Sequence, residues 1–142
     1  MTLAEFREFL DAISDCFITA DFAPWEARIL LPFSLVTKHF PVVLSTREEL
    51  RNNFEHYVNA CRIMKLDLIS RRPISLEDCK DGTFIGTYET ELLSRGLRAT
   101  EPYTASVLLH RTAHGWKMSS ILNARGHYDW TGVKPSPSGR PP

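Results

Sequence analysis

The hydrophobic pattern of this 142-residue chain changes near residue 65, and this change limits the folds open to it. Before that point apolar residues recur every three or four positions, as on one face of a helix. After it they alternate with polar residues, as along a half-buried strand. Helices followed by a run of strands with tight turns predict an α+β fold, with N-terminal helices packed on one face of a mixed or antiparallel sheet.

Two helices have clear start signals. Residues 2–5 and 45–48 each place a hydroxyl three positions before a carboxylate, the pattern of a capping box. They predict helices over about 3–20 and 46–64, each with an apolar stripe. A proline in the first turn favours a further short helix over 24–30.

Six strands are predicted, over residues 33–38, 42–44, 66–76, 83–94, 98–112 and 116–125. Turn signals separate the last four strands, among them Asp81-Gly82 and Arg95-Gly96. Pro73 and Gly86 interrupt long strands, so we expect a strongly curved sheet. A curved sheet covered by helices forms a cone, and a cone leaves an internal pocket.

Composition excludes several classes of function. Lys plus Arg and Asp plus Glu both count 17, so no positive excess favours nucleic-acid binding. No apolar run reaches the roughly 20 residues of a membrane span, and acidic residues interrupt any N-terminal secretion signal. We therefore expect a cytoplasmic protein with neither a nucleic-acid nor a membrane partner.

Metal, cofactor and disulfide motifs are also lacking. Cys16, Cys61 and Cys79 are far apart and odd in number, which favours free thiols. The five histidines have no metal-ligand spacing, and no phosphate-binding glycine loop or nucleophile elbow is present. We expect neither a metal nor a cofactor.

Two stretches carry a resemblance to a known superfamily. Residues 41–50 form a short strand followed by a capped helix, and residues 108–117 form a strand end, a turn and Trp116. With the order of elements, they make residues 3–128 resemble the nuclear transport factor 2-like superfamily, also called SnoaL-like or cystatin-like cones. The resemblance implies one domain over residues 1–130, and the Pro/Ser-rich residues 131–142 are predicted to be a flexible tail.

The superfamily includes isomerases, dehydratases, epoxide hydrolases, polyketide cyclases and association domains, so the fold does not choose the function. The resemblance implies a pocket on the concave sheet face, and commonly a homodimer through the convex face. The steroid isomerase branch offers a test. An ungapped match places Thr37 and Thr104 at its two aspartates, and Asp15 or Cys16 at its tyrosine. None of the three is kept, which argues against that chemistry.

The same match assigns side chains to faces. It places Leu108, Leu122 and Ala124 inward, and it places Val107, Leu109 and Ile121 outward on a dimer surface with Glu89 and Glu91. The predicted ligand-binding residues are Trp25, Thr37, His39, Phe54, Tyr57, Tyr88, Thr104 and Ser120. Such a wall suits a small, largely apolar ligand.

Two residues are candidates for catalysis. Imidazole titrates near neutrality, so His39 could act as a base, and the alternative is a strand-end histidine near solvent. Tyr88 could donate a hydrogen bond to a carbonyl, or be a core tyrosine. Two functions remain open. The first is a pocket that binds a small apolar metabolite and could transform it by proton transfer or water addition. The second is a non-catalytic homodimeric association module.

Overall fold

The computed structural model of the chain describes residues 1–132, and residues 133–142, which make up most of the predicted tail, lie outside the described residues. The helices are α1 (Leu3–Thr19), α2 (Phe22–Glu26), α3 (Arg47–Met64) and α4 (His127–Thr131). The strands are β1 (Ile29–Val36), β2 (Pro41–Leu44), β3 (Leu68–Asp78), β4 (Thr83–Ser94), β5 (Leu97–Arg98), β6 (Tyr103–Thr112) and β7 (Gly115–Leu122).

The strands form one mixed sheet in the order β2-β1-β7-β6-β4-β3, and β5 pairs with β4. Strand β1 runs parallel to β7, and the other pairs are antiparallel. The predicted α+β class, with N-terminal helices on a mixed sheet, is confirmed. The first strand of the chain therefore lies beside the last.

Hydroxyl caps start the two long helices. Thr2 and Glu5 form the predicted capping box of α1. The box of α3 begins one residue later than predicted, because Thr46 rather than Ser45 accepts the backbone N–H of Glu49, at 3.1 Å. A one-residue change at a helix end leaves the buried stripe unchanged, and the stripe predicted for α3 is confirmed at Phe54 and Tyr57, which are both buried.

A glycine lets α1 approach the sheet closely. Phe6 is fully buried, and a Cβ on Gly86 would lie 2.3 Å from Cζ of its ring. The same ring meets Tyr88 edge-on, with centroids 6.4 Å apart. The phenyl ring of Phe6 therefore packs directly on the backbone of Gly86, and a side chain at this position would push α1 away from the sheet.

Several elements differ from the prediction, since the short helix predicted over 24–30 is α2 (Phe22–Glu26) and the strand predicted from residue 33 begins at Ile29. The single strand predicted over 98–112 is divided into β5 and β6, because the segment between them contains Pro102, which has no N–H for the strand ladder. Helix α4 was not predicted, since five residues are too few to display a helical period. It includes Thr131, the first residue of the predicted tail.

The predicted faces of β6 were wrong by one residue. Ala105 is opposite Tyr88, and Tyr103 is opposite Thr90. Directly paired residues share a face, so Tyr103 and Ala105 point inward, and Thr104 points outward and is exposed. Leu108 likewise lies outward, where it pairs with Ile85. The ungapped match had placed both Thr104 and Leu108 inward.

The same error affected the core positions of β6 and β7. Val107, Leu109 and Ile121 were predicted on the outer face, yet all three are buried core residues. A register shift opposite Leu108 and Leu109 changes the parity of β7, so Ser120 and Leu122 lie outward instead of inward. The inward prediction for Ala124 agrees with its burial.

Candidate functional site

The concave face of the sheet and the helices enclose a cavity of about 40 Å³. Inward alanines leave this space, because Ala105 and Ala124 stand where larger side chains would fill it. Six aromatic side chains belong to the wall: Phe17, Trp25, Tyr57, Tyr88, Tyr103 and Trp130. These six residues come from six different elements, so all layers of the fold contribute to the cavity.

A second cavity of about 30 Å³ lies next to the first, beside Thr37 and Tyr128. Leu35, Asn53 and Tyr57 line both cavities and therefore separate them. Movement of the Tyr57 side chain would join the two spaces.

Helix α4 lies over the edge of the cavity, and two hydrogen bonds hold α4 and the residues before it in place. The indole Nε1–H of Trp130 donates to Tyr103 Oη at 3.1 Å. The Tyr57 hydroxyl donates to the Arg125 carbonyl, two residues before α4, at 2.6 Å. The rings of Tyr57 and Trp130 pack edge to face with centroids 4.9 Å apart. These contacts fix α4 over the cavity.

A guanidinium group enters the apolar interior. Arg71 on β3 donates from Nη1 to Ser14 Oγ at 2.8 Å, and that hydroxyl donates to the Leu10 carbonyl at 2.6 Å. Arg71 has no carboxylate partner among residues 1–132. A second arginine in the wall, Arg125, is bonded to the carbonyl and side chain of Asn123.

Burial keeps the tyrosines of the cavity protonated. Loss of solvent raises the pKa of Tyr88 to about 12, and the nearby charge of Arg71 opposes part of this rise. Burial also raises the pKa values of Tyr57 and Tyr103. At neutral pH the three phenols are hydrogen-bond donors and acceptors, so none of them supplies an anionic base.

Two buried polar atoms at the cavity have no partner among residues 1–132. They are the indole Nε1 of Trp25, a residue 4% exposed, and Oδ1 of Asn53. Both residues line the first cavity. Buried polar atoms are nearly always hydrogen-bonded, so an unmet donor and an unmet acceptor beside one space indicate a missing polar partner there.

The structure brings three of the predicted site residues together around the first cavity: Trp25, Tyr57 and Tyr88. Phe54 lies behind this wall, packed on the ring of Phe17 with centroids 4.9 Å apart. Thr37 lines the second cavity, but its hydroxyl donates to the Phe40 carbonyl at 2.7 Å and holds a turn.

Three predicted residues lie away from the cavity. Thr104 and Ser120 are on the outer face of the sheet, as described above. The side chain of His39 is 54% exposed, and its Nε2 lies 3.6 Å from Asp129 Oδ1. This is the solvent-facing histidine that the sequence left as the alternative.

The sequence reasoning missed Asn53, Arg71, Tyr103, Arg125 and Trp130, which all line the first cavity. A signal existed for Arg71, because it follows the buried Ile69 by two residues and so falls on the inner face of an alternating strand. Tyr103 belongs in the same way to the series Tyr103, Ala105, Val107. Trp130 had no such signal, because it lies in the unpredicted α4.

A larger depression lies elsewhere on the surface. A surface groove of about 590 Å³ between α2 and α3 contains Arg47, Arg51 and Arg62. Arg47 pairs with Glu26, and Arg51 pairs with Glu55 at 3.4 Å. Paired charges around an open groove are typical of a solvated surface, so size alone does not make this groove the site.

Within residues 1–132 no group of three or more His, Cys, Asp or Glu side chains is arranged to hold a metal ion. The helices of this part of the chain are all too short or too polar to cross a bilayer.

Comparison with solved structures identifies the fold. A domain of unknown function with a cystatin-like fold from Nostoc punctiforme is 14% identical, with a TM-score of 0.65 over 88% of this chain and 79% of its own. A provisionally assigned dehydratase of the nuclear transport factor 2-like family from Streptomyces avermitilis is 19% identical, with a TM-score of 0.61 over 84% of this chain and 92% of its own.

A nuclear transport factor 2-like protein of unknown function from Shewanella oneidensis is 8% identical, with a TM-score of 0.62 over 86% of this chain and 98% of its own. No protein-family model matches the sequence, and no curated protein matches it. The chain therefore has the nuclear transport factor 2-like fold, as its sequence predicted. Identities this low concern the fold alone.

Proposed function

We propose that this chain is a pocket protein that binds a small, largely apolar metabolite inside the cone. The observation that carries the proposal is the unpartnered indole N–H of Trp25, buried at the wall of the aromatic cavity. A bound ligand with one oxygen atom would supply its acceptor, and the aromatic wall would cover the rest of the molecule.

The cavity must expand to hold such a ligand. Its volume is about 40 Å³, whereas sites for drug-sized molecules measure roughly 300–1,000 Å³. The short helix α4 and the Tyr57 ring are the elements whose movement would join the two cavities, and two hydrogen bonds hold them. Binding in this proposal therefore includes displacement of α4 or Tyr57.

Transformation of the ligand, by proton transfer or water addition, is the catalytic part of the proposal. Tyr88 is suited to donate a hydrogen bond to a carbonyl, since its raised pKa of about 12 keeps its proton in place. His39, which lies outside the cavity with its Nε2 3.6 Å from Asp129 Oδ1, would have to act as the base from the solvent side.

A homodimeric association module is the second candidate. The observation that favours it is the filling of the cone by aromatic rings, which leaves little space. The outer sheet face also carries apolar side chains in a partly polar surface, including Ile85 at 37% and Leu122 at 54% exposure. A second copy could cover this convex face.

The test is native mass spectrometry of the purified full chain, followed by denaturing extraction. Ala105 and Thr104 provide a matched pair, because they are neighbours on β6 that face the cavity and the outer surface respectively. We expect a small molecule to be extracted from the wild type and from the Thr104→Leu protein. None should be extracted from the Ala105→Leu protein, in which the leucine side chain occupies the cavity.

Retention of the same molecule by the Ala105→Leu protein, with an unchanged melting curve, would place the ligand elsewhere. A ligand-free dimer in all three proteins would favour the association module.

A further inference from the structure

The charge of the cavity wall points to the chemical class of its ligand. The wall contains two arginines, Arg71 and Arg125, and no carboxylate. Arg125 already donates to two atoms of Asn123, and its guanidinium lies over the Tyr103 ring at 4.7 Å. Among residues 1–132, Arg71 makes one hydrogen bond, to a serine hydroxyl. A guanidinium has five N–H donors, so most of the donors of Arg71 are unused.

The position of Arg71 is built into the fold. Its single acceptor, Ser14 Oγ, belongs to a residue of α1 that is only 1% exposed, 57 positions away in the sequence. A serine on the buried stripe of a helix loses solvent contact, and here it directs the guanidinium along the inner sheet face. Two surface arginines on the same sheet have acidic partners: Arg72 pairs with Glu89 at 3.2 Å, and Arg98 pairs with Glu91 at 3.4 Å.

Other polar groups continue from Arg71 across the floor of the cone. Arg71 is opposite Thr90 on β4, and Thr90 is opposite Tyr103 on β6, so the three residues form one row on the inner face. Thr90 is fully buried, and its hydroxyl lies beside the Tyr103 phenol, whose pKa it lowers. The unpartnered Trp25 N–H belongs to the same wall as Arg71 and Tyr103.

The field of the guanidinium reaches the whole interior. Its charge lowers the pKa values of Tyr88, Tyr103 and Cys61 against the opposite effect of burial. Arg71 is partly buried and has no carboxylate partner among residues 1–132, so an anionic neighbour would stabilise its charge.

We propose that the ligand is a small organic acid, with an aromatic or otherwise apolar body and one carboxylate that pairs with Arg71. This inference rests on the proposed function and specifies its ligand. A carboxylate is planar and can accept two parallel N–H bonds from a guanidinium, while the aromatic wall contacts the body of the molecule. A single carboxylate would neutralise the charge of one guanidinium and accept hydrogen bonds from its unused donors. A phosphate would leave a second charge among aromatic rings.

The experiment measures binding of matched probes to the full chain by isothermal titration calorimetry. The probes are benzoate with benzyl alcohol, and 3-phenylpropionate with 3-phenylpropanol, so that each acid has a neutral alcohol of the same framework. Inorganic phosphate and benzylamine are the remaining probes. We expect each acid to bind about tenfold or more tightly than its alcohol, as for a hydrogen bond to a charged group. Phosphate and benzylamine should not bind measurably.

Two arginines on β3 provide the variant and its control. Arg71→Met keeps a long side chain and removes the charge, so the preference for acids should disappear while the alcohols bind as before. Arg72→Met removes the adjacent arginine on the opposite face of the strand, where the side chain is 59% exposed, and should keep the wild-type preference. Arg71→Gln, which retains a polar end that can reach Ser14, is the second variant if the methionine protein does not fold.

Equal affinity for acids and alcohols in the wild type would overturn the organic-acid inference and leave the pocket proposal intact. The same conclusion follows if the Arg71 variants retain the preference, or if phosphate binds as well as the acids. Absence of binding by every aromatic probe would instead overturn the pocket proposal itself.

Discussion

The packing of the Phe6 ring on Gly86 predicts that any side chain at position 86 will destabilise the protein. Alanine at position 86 would place its Cβ 2.3 Å from Cζ and 2.7–2.8 Å from two further atoms of the Phe6 ring. Carbon atoms in contact are normally about 3.5–4.0 Å apart, so the overlap exceeds 1 Å. The ring is fully buried, so relief of the overlap requires neighbouring core side chains to move.

The expected cost exceeds the gain from a better strand former. Overpacking of a core costs typically about 1–3 kcal/mol. Alanine is favoured over glycine within a strand by roughly 0.5–1 kcal/mol, through the entropy of the unfolded chain. The overlap of more than 1 Å calls for the upper end of that cost, so we expect Gly86→Ala to lower the free energy of unfolding by about 2 kcal/mol. With a urea m-value of about 2 kcal/mol/M, the midpoint falls by about 1 M.

A double-mutant cycle separates this clash from other effects of the substitution. Phe6→Leu alone should destabilise the protein, because it removes ring atoms from the core. In the Gly86→Ala protein the same change also relieves the overlap, so the double variant should be more stable than the sum of the two effects by about 1 kcal/mol or more. Urea denaturation followed by circular dichroism gives all four values. A Gly86→Ala protein within about 0.5 kcal/mol of the wild type, or an additive cycle, would refute the reasoning.

Two further predictions follow from buried groups. Burial raises the pKa values of Cys16 and Cys61 to about 12 and about 11. Iodoacetamide at pH 8 should therefore add one label to the native protein, at the partly exposed Cys79, and three labels in denaturant. Early labelling of Cys16 would contradict the packing of α1. The pKa of Tyr88 is raised in the folded state to about 12, so the folded protein retains a proton that the unfolded chain releases near pH 10, and stability should fall between about pH 10 and 12. Denaturation measured across that pH range should show a smaller fall in the free energy of unfolding for Tyr88→Phe than for the wild type. Equal slopes of this free energy against pH in the two proteins would count against the buried phenol.

The sequence predicted the fold where local rules agree with tertiary packing. Strand β4 alternates plainly, and its inward residues Tyr88, Thr90 and Leu92 are buried as expected. The capping hydroxyls located α1 and α3 to within a residue or two. In these segments the same residues satisfy the backbone and form the buried face, so no distant information is needed.

The candidate site was less accessible to sequence reasoning. Faces on β6 were assigned by an ungapped match to a family, although Ala105, Val107 and Leu109 alternate correctly by themselves. A register shift in the β6–β7 pairing leaves no mark in composition, so the parity of β7 could not be predicted. Arg71 has no place among the predicted site residues, because a charged residue is rarely expected on an inner face.

The parallel pairing of β1 with β7 has a consequence for the timing of folding. When the first 64 residues have been synthesised, β1 has only the short β2 beside it, and its other neighbour is still about 50 residues away in the sequence. Pairs so distant in sequence require closure of a long loop before their hydrogen bonds can form. On the ribosome, the apolar stripes of α1 and α3 therefore remain uncovered until the strands that follow them emerge. Translation speed through residues 65–122 thus sets how long the nascent chain is exposed to chaperones and to aggregation.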